Sequence, residues 1–179
     1  FDDYLRQKDD DDKQKKHSII KDVTVFLEKY DGDFDKFNES SEKKSELFKA
    51  MYMASPKMLH MIFNIMKSLG PVIVYSNYVL MEGLELFKIY LKYFELQKDK
   101  VGYVEFHGGI KDFQDRIKGK EAFNMPDNKL GTLIKIILIS PAGTEGLSLL
   151  NVRQIHIMEP YWNEVRIVQM IGRGIRQCS

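Results

Sequence analysis

Apolar residues recur along this chain with two alternating periods. Over residues 55–70, Met58, Leu59, Ile62, Ile65, Met66 and Leu69 keep the spacing of one helix face. Ser55-Pro56 supplies an N-cap with proline at the first helical position, and Gly70 suits the stop. Residues 71–75, 101–106 and 134–139 are short apolar runs bounded by turn residues, as expected of strands buried on both faces. Between them, 78–94 and 111–123 carry helix-forming sequence, with Ser76-Asn77 as the cap of the first. A last short strand at 154–158 precedes Pro160 and a helix-forming run from about Asn163. Strands alternating with helices predict an α/β fold, a parallel sheet with right-handed crossovers and helices on both faces.

Ahead of this alternation the pattern is weaker. Residues 1–18 are charge-dense, with Asp9–Asp12 followed by Lys13, Lys15 and Lys16, and read as a solvated loop or linker. The string Asp9–Lys13 also matches an engineered protease site. Val23–Leu27 fits a strand or a short helix, and Asp31-Gly32-Asp33 a turn. Residues 40–53 read as an amphipathic helix with Leu47, Phe48 and Met51 on one side. The expected organisation is a charged connector over 1–54 and a globular domain over 55–179.

Composition narrows the function classes. The apolar share of 44% and aromatic share of 12% are enough for a real core. A formal charge of +1 excludes a globally basic nucleic-acid binder, so any such contact rests on local Lys and Arg. The single cysteine, Cys178, forms no internal disulfide, and no run is long enough to span a membrane; a soluble intracellular protein is expected. Cys/His metal spacing is absent, so no metal ligands are assigned. His107, at a strand end before Gly108-Gly109, has no carboxylate or serine at a spacing that marks catalysis, and reads as shaping a strand-to-helix turn.

The most specific signals lie in the last forty residues. A Gly-bearing loop, Ser140-Pro-Ala-Gly143-Thr-Glu-Gly146-Leu-Ser-Leu149, follows the strand at 134–139 and so sits at the edge where α/β folds bind ligands. It resembles the fifth motif of superfamily-two helicases and translocases. Gln169-x-x-Gly172-Arg173-x-x-Arg176 matches their sixth motif, QxxGRxxR, in full. The junction at Ser76-Asn77 resembles the fourth motif, and Arg116 with Phe123-Asn124 matches the family's Arg…Phe-Asn spacing. Glu159-Pro-Tyr-Trp162-Asn-Glu is similar to Swi/Snf-type translocases, and the wording of the block is closest to helicase-like NTPases of large cytoplasmic DNA viruses, the poxvirus type included.

The resemblance, which reaches back to about Ser55, implies the second RecA-like lobe of a two-lobed motor, a three-layer parallel α/β fold. It implies Arg173 and Arg176 as arginine fingers toward ATP, with Gln169 linking nucleotide state to lobe closure. Their spacing of three puts both guanidinium groups on one helix face, and arginine's fixed charge suits the developing γ-phosphoryl charge. It implies nucleotide-side roles for Gly143, Glu145, Gly146 and Gly172, and nucleic-acid contacts from Ser76, Asn77, His107, Gly108 and Ser140. Trp162 stacks on a base or packs on the lobe.

No GxxxxGK[ST] loop and no DExx box occurs in the sequence. ATP and Mg2+ are therefore expected mainly on a first lobe carried elsewhere in a longer protein, and this stretch alone is expected to be inactive. Expected partners are DNA or RNA, that first lobe and transcription machinery, with no membrane. A viral source would put it in the host cytoplasm or the virion. Two alternatives compete: an inactive RecA-like scaffold of a transcription complex, and a small α/β domain binding another phosphorylated ligand through Arg173 and Arg176.

Overall fold

The computed structural model describes residues 2–80, 83–96, 102–108, 110, 113–141, 147–159, 168 and 172. They fall into two compact units: Phe1–Lys67 with Tyr90–Phe94, and Ser68–Ile89 with Glu95–Ser179.

The first unit is helical: α1 Asp2–Tyr30, α2 Phe34–Glu39, α3 Glu46–Ala54 and α4 Pro56–Lys67. The charged run over 1–18 is expected from sequence as a loop or linker, but residues 2–18 instead form the first half of α1. Ile19, Val23 and Phe26 on this helix are buried at spacings of four and three, so one apolar stripe anchors it. The same stripe resolves the ambiguity at Val23–Leu27 in favour of helix. Aromatic rings fill the unit's core. Phe63 meets Phe26 edge-on at a centroid distance of 4.9 Å, and Phe34, Phe37, Phe48 and Phe94 also pack against Phe63.

Local caps set the boundaries. Asp31 and Gly32 take positive φ in the expected turn. The helix expected over 40–53 begins only at Glu46. Ser40 closes α2 by bonding the Phe37 carbonyl, and the Ser45 hydroxyl caps α3 by accepting from the Phe48 N–H. Ser45 also bonds the carboxylate of buried Asp22 through both its N–H and its hydroxyl, which ties the start of α3 to α1. Burial holds the Asp22 carboxyl above its usual range, against the lowering effect of these bonds. Ser55 accepts from Met58 N, the expected cap of α4.

The second unit contains the sheet: β1 Val72–Tyr75, β2 Gly102–Phe106, β3 Ile134–Ile139 and β4 Gln154–Ile157. All neighbours pair in parallel, in the order β2-β3-β1-β4. Every residue of β1, and Ile136 to Ile139 of β3, is buried, so both faces of the two central strands are covered. On one face, Ile73, Tyr75, Ile137 and Ile139 pack with Phe123 of α6 (Phe113–Asn124) and with Leu147 and Leu149. Gly119 lets α6 approach β2: a Cβ there would stand 3.3 Å from the Val104 Cβ.

One boundary bears on the site. The helix expected from residue 78 starts six residues later, as α5 Leu84–Tyr93. Residues 78–80 form a bend that Leu84 N and Glu85 N close by donating to the Tyr78 and Val79 carbonyls. Ser76 and Asn77 are therefore not the cap of a helix.

Candidate functional site

Parallel pairing delivers four strand ends to one edge of the sheet. The register aligns Phe106 with Ile139, Ile139 with Tyr75, and Tyr75 with Ile157. The residues that follow, His107, Ser140, Ser76 and Met158, form a row along the C-terminal edge. Backbone bonds extend the ladder into this row: Ser76 N donates to Ile139 O at 3.0 Å, and Met158 N to Tyr75 O at 2.8 Å. Three residues singled out from sequence, Ser76, His107 and Ser140, thus come together. Asn77 and Gly108 follow one position beyond.

The row is largely shielded from solvent. Ser76, Ser140 and His107 are buried, Asn77 is half-buried, and Gly108 is exposed. The polar groups of Ser76 and Asn77 converge on one side chain that sequence reasoning missed. The Glu159 carboxylate lies 2.8 and 3.0 Å from the Ser76 hydroxyl, and accepts from Asn77 N at 2.9 Å. The Ser76 oxygen also accepts from Tyr78 N at 3.1 Å. Its one proton is within reach of the Tyr78 carbonyl as well, at 2.8 Å. The charged carboxylate is the stronger acceptor, and Leu84 N already donates to that carbonyl. Asn77 completes the corner by accepting from the Tyr75 hydroxyl at 3.2 Å. Glu159 is 83 residues from Ser76 in the chain. Only the β1–β4 pairing brings them together, so no local signal could have found the contact.

At the β2 end, His107 sits 3.0 Å from a Glu105 carboxylate oxygen, and Lys88 of α5 lies 3.0 Å from the other. The His107 hydrogen bond first, and then Lys88, hold the Glu105 carboxyl at about 2 despite its burial. Burial pulls Lys88 down, but bonds to Glu85 and Glu105 more than offset it, and its ammonium stands above the usual lysine range. His107 is thus tied into an ion-paired cluster as well as shaping the turn.

Two asparagines fix the loop that follows β3. Asn124 donates to Ser148 O and accepts from Leu150 N, both at 2.9 Å, clamping the far end of the fifth-motif segment. Buried Asn128 donates to Phe123 O and Ile134 O and accepts from Leu133 N and Ile134 N, which pins the end of α6 to the start of β3. Phe123-Asn124, noted from sequence for its family spacing, serves here as a core anchor followed by a loop clamp.

Gly143, Glu145, Gly146, Trp162, Gln169, Arg173 and Arg176 lie outside the described residues. Val168 and Gly172 are helical and exposed, and a Cβ added at Gly172 would meet nothing within 4 Å among the described residues. Among the described residues no group of three or more His, Cys, Asp or Glu could hold a metal ion, and no helix is long and apolar enough to cross a membrane.

Comparison with known proteins agrees with this architecture. R350 of Acanthamoeba polyphaga mimivirus, named as a candidate ATP-dependent RNA helicase, is 43% identical over 98% of the chain, which spans 22% of that relative. Nucleoside triphosphatase I of Melanoplus sanguinipes entomopoxvirus is 32% identical over 81% of the chain, matching 21% of its own length. The chain thus spans about a fifth of these relatives. Among solved structures, the C-terminal part of the Fun30 ATPase domain aligns with a TM-score of 0.52 at 16% identity, covering 90% of this chain and 57% of that one. That likeness bears on the fold, a RecA-like parallel α/β sheet. The family model for the helicase conserved C-terminal domain matches residues 55–178, more than half the chain, and the chain belongs to that family.

Proposed function

We propose that this chain is the second motor lobe of a nucleic-acid-dependent ATPase, with residues 55–179 as the lobe and 1–54 as a connector. In this reading Arg173 and Arg176 reach ATP held on a first lobe, and Gln169 links nucleotide state to closure. ATP binds mainly on the first lobe, which also holds Mg2+ to neutralise phosphate charge. Gly143, Glu145, Gly146 and Gly172 lie on the nucleotide side; Ser76, Asn77, His107, Gly108 and Ser140 lie on the nucleic-acid side.

The observation that carries the reading is the shared edge. Ser76, His107 and Ser140 stand in one row of a parallel sheet. The fifth-motif loop leaves from that row, and QxxGRxxR follows it in sequence.

The name of R350 favours RNA as the polymer, and action is proposed in host cytoplasm or virion, alongside transcription machinery. The test is ATP turnover by the full-length protein carrying this chain, with and without single- and double-stranded RNA and DNA. Stimulation by one polymer supports the reading and identifies the track; indifference to all of them removes it.

A further inference from the structure

We infer that Glu159 occupies an anion seat on the β1 edge, and that a nucleic-acid phosphate binds there only by displacing its carboxylate. The inference rests on the proposed motor-lobe reading and adds a built-in competitor to its nucleic-acid side.

The seat is defined by its donors. The Ser76 hydroxyl and the Asn77 N–H both point at the Glu159 carboxylate, at 2.8 to 3.0 Å. A phosphate oxygen asks for the same donors in the same arrangement, since both anions take short, charge-assisted bonds from hydroxyl and backbone N–H groups. Both donors are engaged by Glu159: its carboxylate is the stronger of the two acceptors within reach of the one hydroxyl proton, and it accepts from the Asn77 N–H. Ser76 is fully buried, so an incoming phosphate cannot share the hydroxyl while Glu159 stays in place. Its own negative charge would also repel that phosphate.

Displacement is feasible because Glu159 is only partly buried, whereas the donors are fixed by the sheet. Ser76 N is held by Ile139 O, and Ser76 Oγ by Tyr78 N, neither of which depends on Glu159. The carboxylate therefore keeps the donors satisfied without polymer and lowers affinity for it. Competition of this kind favours release and re-binding along a track over tight static binding.

The experiment is RNA binding by the full-length protein, with a fluorescently labelled single-stranded oligonucleotide, comparing the unsubstituted protein with Glu159→Gln and Ser76→Ala. Glu159→Gln removes the charge while retaining a weaker acceptor, and is expected to tighten binding about fivefold or more at low salt. Ser76→Ala removes a donor and leaves the competing charge, and is expected to weaken binding about fivefold or more. A purely structural role for Glu159 predicts the opposite sign for the first variant: weaker binding with a lower melting temperature. Unchanged or weaker binding by Glu159→Gln overturns the inference. If that variant does not fold, unchanged binding by Ser76→Ala does so. If the unsubstituted protein neither binds RNA nor turns over ATP faster with it, the motor-lobe reading itself has failed.

Discussion

At the scale of single residues, two polar side chains, one buried and one partly buried, organise the sheet and its edge. Asn128 uses both faces of its amide, two bonds donated and two accepted, and is fully buried. Asn128→Asp keeps the shape but loses both donors, leaving the Phe123 and Ile134 carbonyls without them and placing a charge beside two acceptors. A loss of about 2–4 kcal/mol is expected in denaturant unfolding, against near-neutral effects at exposed sites. Glu105 gives a pH signature. Its folded value of about 2 lies below its ordinary 4.5, so its His107 hydrogen bond and Lys88 pairing stabilise fully above pH 4.5, and the gain is lost as pH falls from there toward 2. The contribution is about 3 kcal/mol, and Glu105→Gln should lower stability near neutral pH and flatten that acid limb of the melting profile. Neither role was legible in the sequence. Asn128 bonds the end of α6 and the start of β3, and Lys88 reaches Glu105 from another element, so neither contact is written in adjacent residues.

At the scale of elements, legibility followed how local the determinant is. The strand Ile134–Ile139 was readable to the residue because an apolar run between polar turns, interrupted only by Lys135 near its start, fits a central strand of a parallel sheet. Ser55-Pro56 marked the start of α4 because cap chemistry is written in adjacent residues. The first half of α1 was not legible: its charges carry no apolar period, and only the stripe beginning at Ile19 fixes it. The start of α5 was hidden for a different reason. Apolar residues continue on both sides of Gly83, while the break comes from Gly83 itself, which passes against the Tyr78 carbonyl. A Cβ at Gly83 would stand 1.9 Å from that oxygen, a distance that demands backbone movement. Gly83→Ala is therefore expected to cost about 2 kcal/mol or more in thermal unfolding, although alanine is the better helix former. A neutral result would show that the bend beside the Ser76 corner tolerates rearrangement.

At the scale of the whole molecule, the sequence supplied the fold class and one edge of the site. Period and element order called for a parallel α/β sheet, and the strands pair in that way. Ser76, His107 and Ser140 were named from motifs far apart in the chain, and register brings them into one row. The contacts that restrain this row, from Glu159, Asn124 and Lys88, depend on which strands become neighbours, information that motif spacing does not carry. The proposed fingers are a different case: Arg173 and Arg176 rest on the sixth-motif pattern alone. The most direct test of the central claim is therefore polymer-stimulated ATP turnover by the full-length protein beside its Arg176→Ala variant, with RNA binding measured in parallel. A finger role predicts that turnover falls by about 10³ while RNA binding stays within a fewfold of the unsubstituted protein. Turnover unaffected by the substitution would contradict the account and leave a nucleic-acid-binding module without a part in hydrolysis.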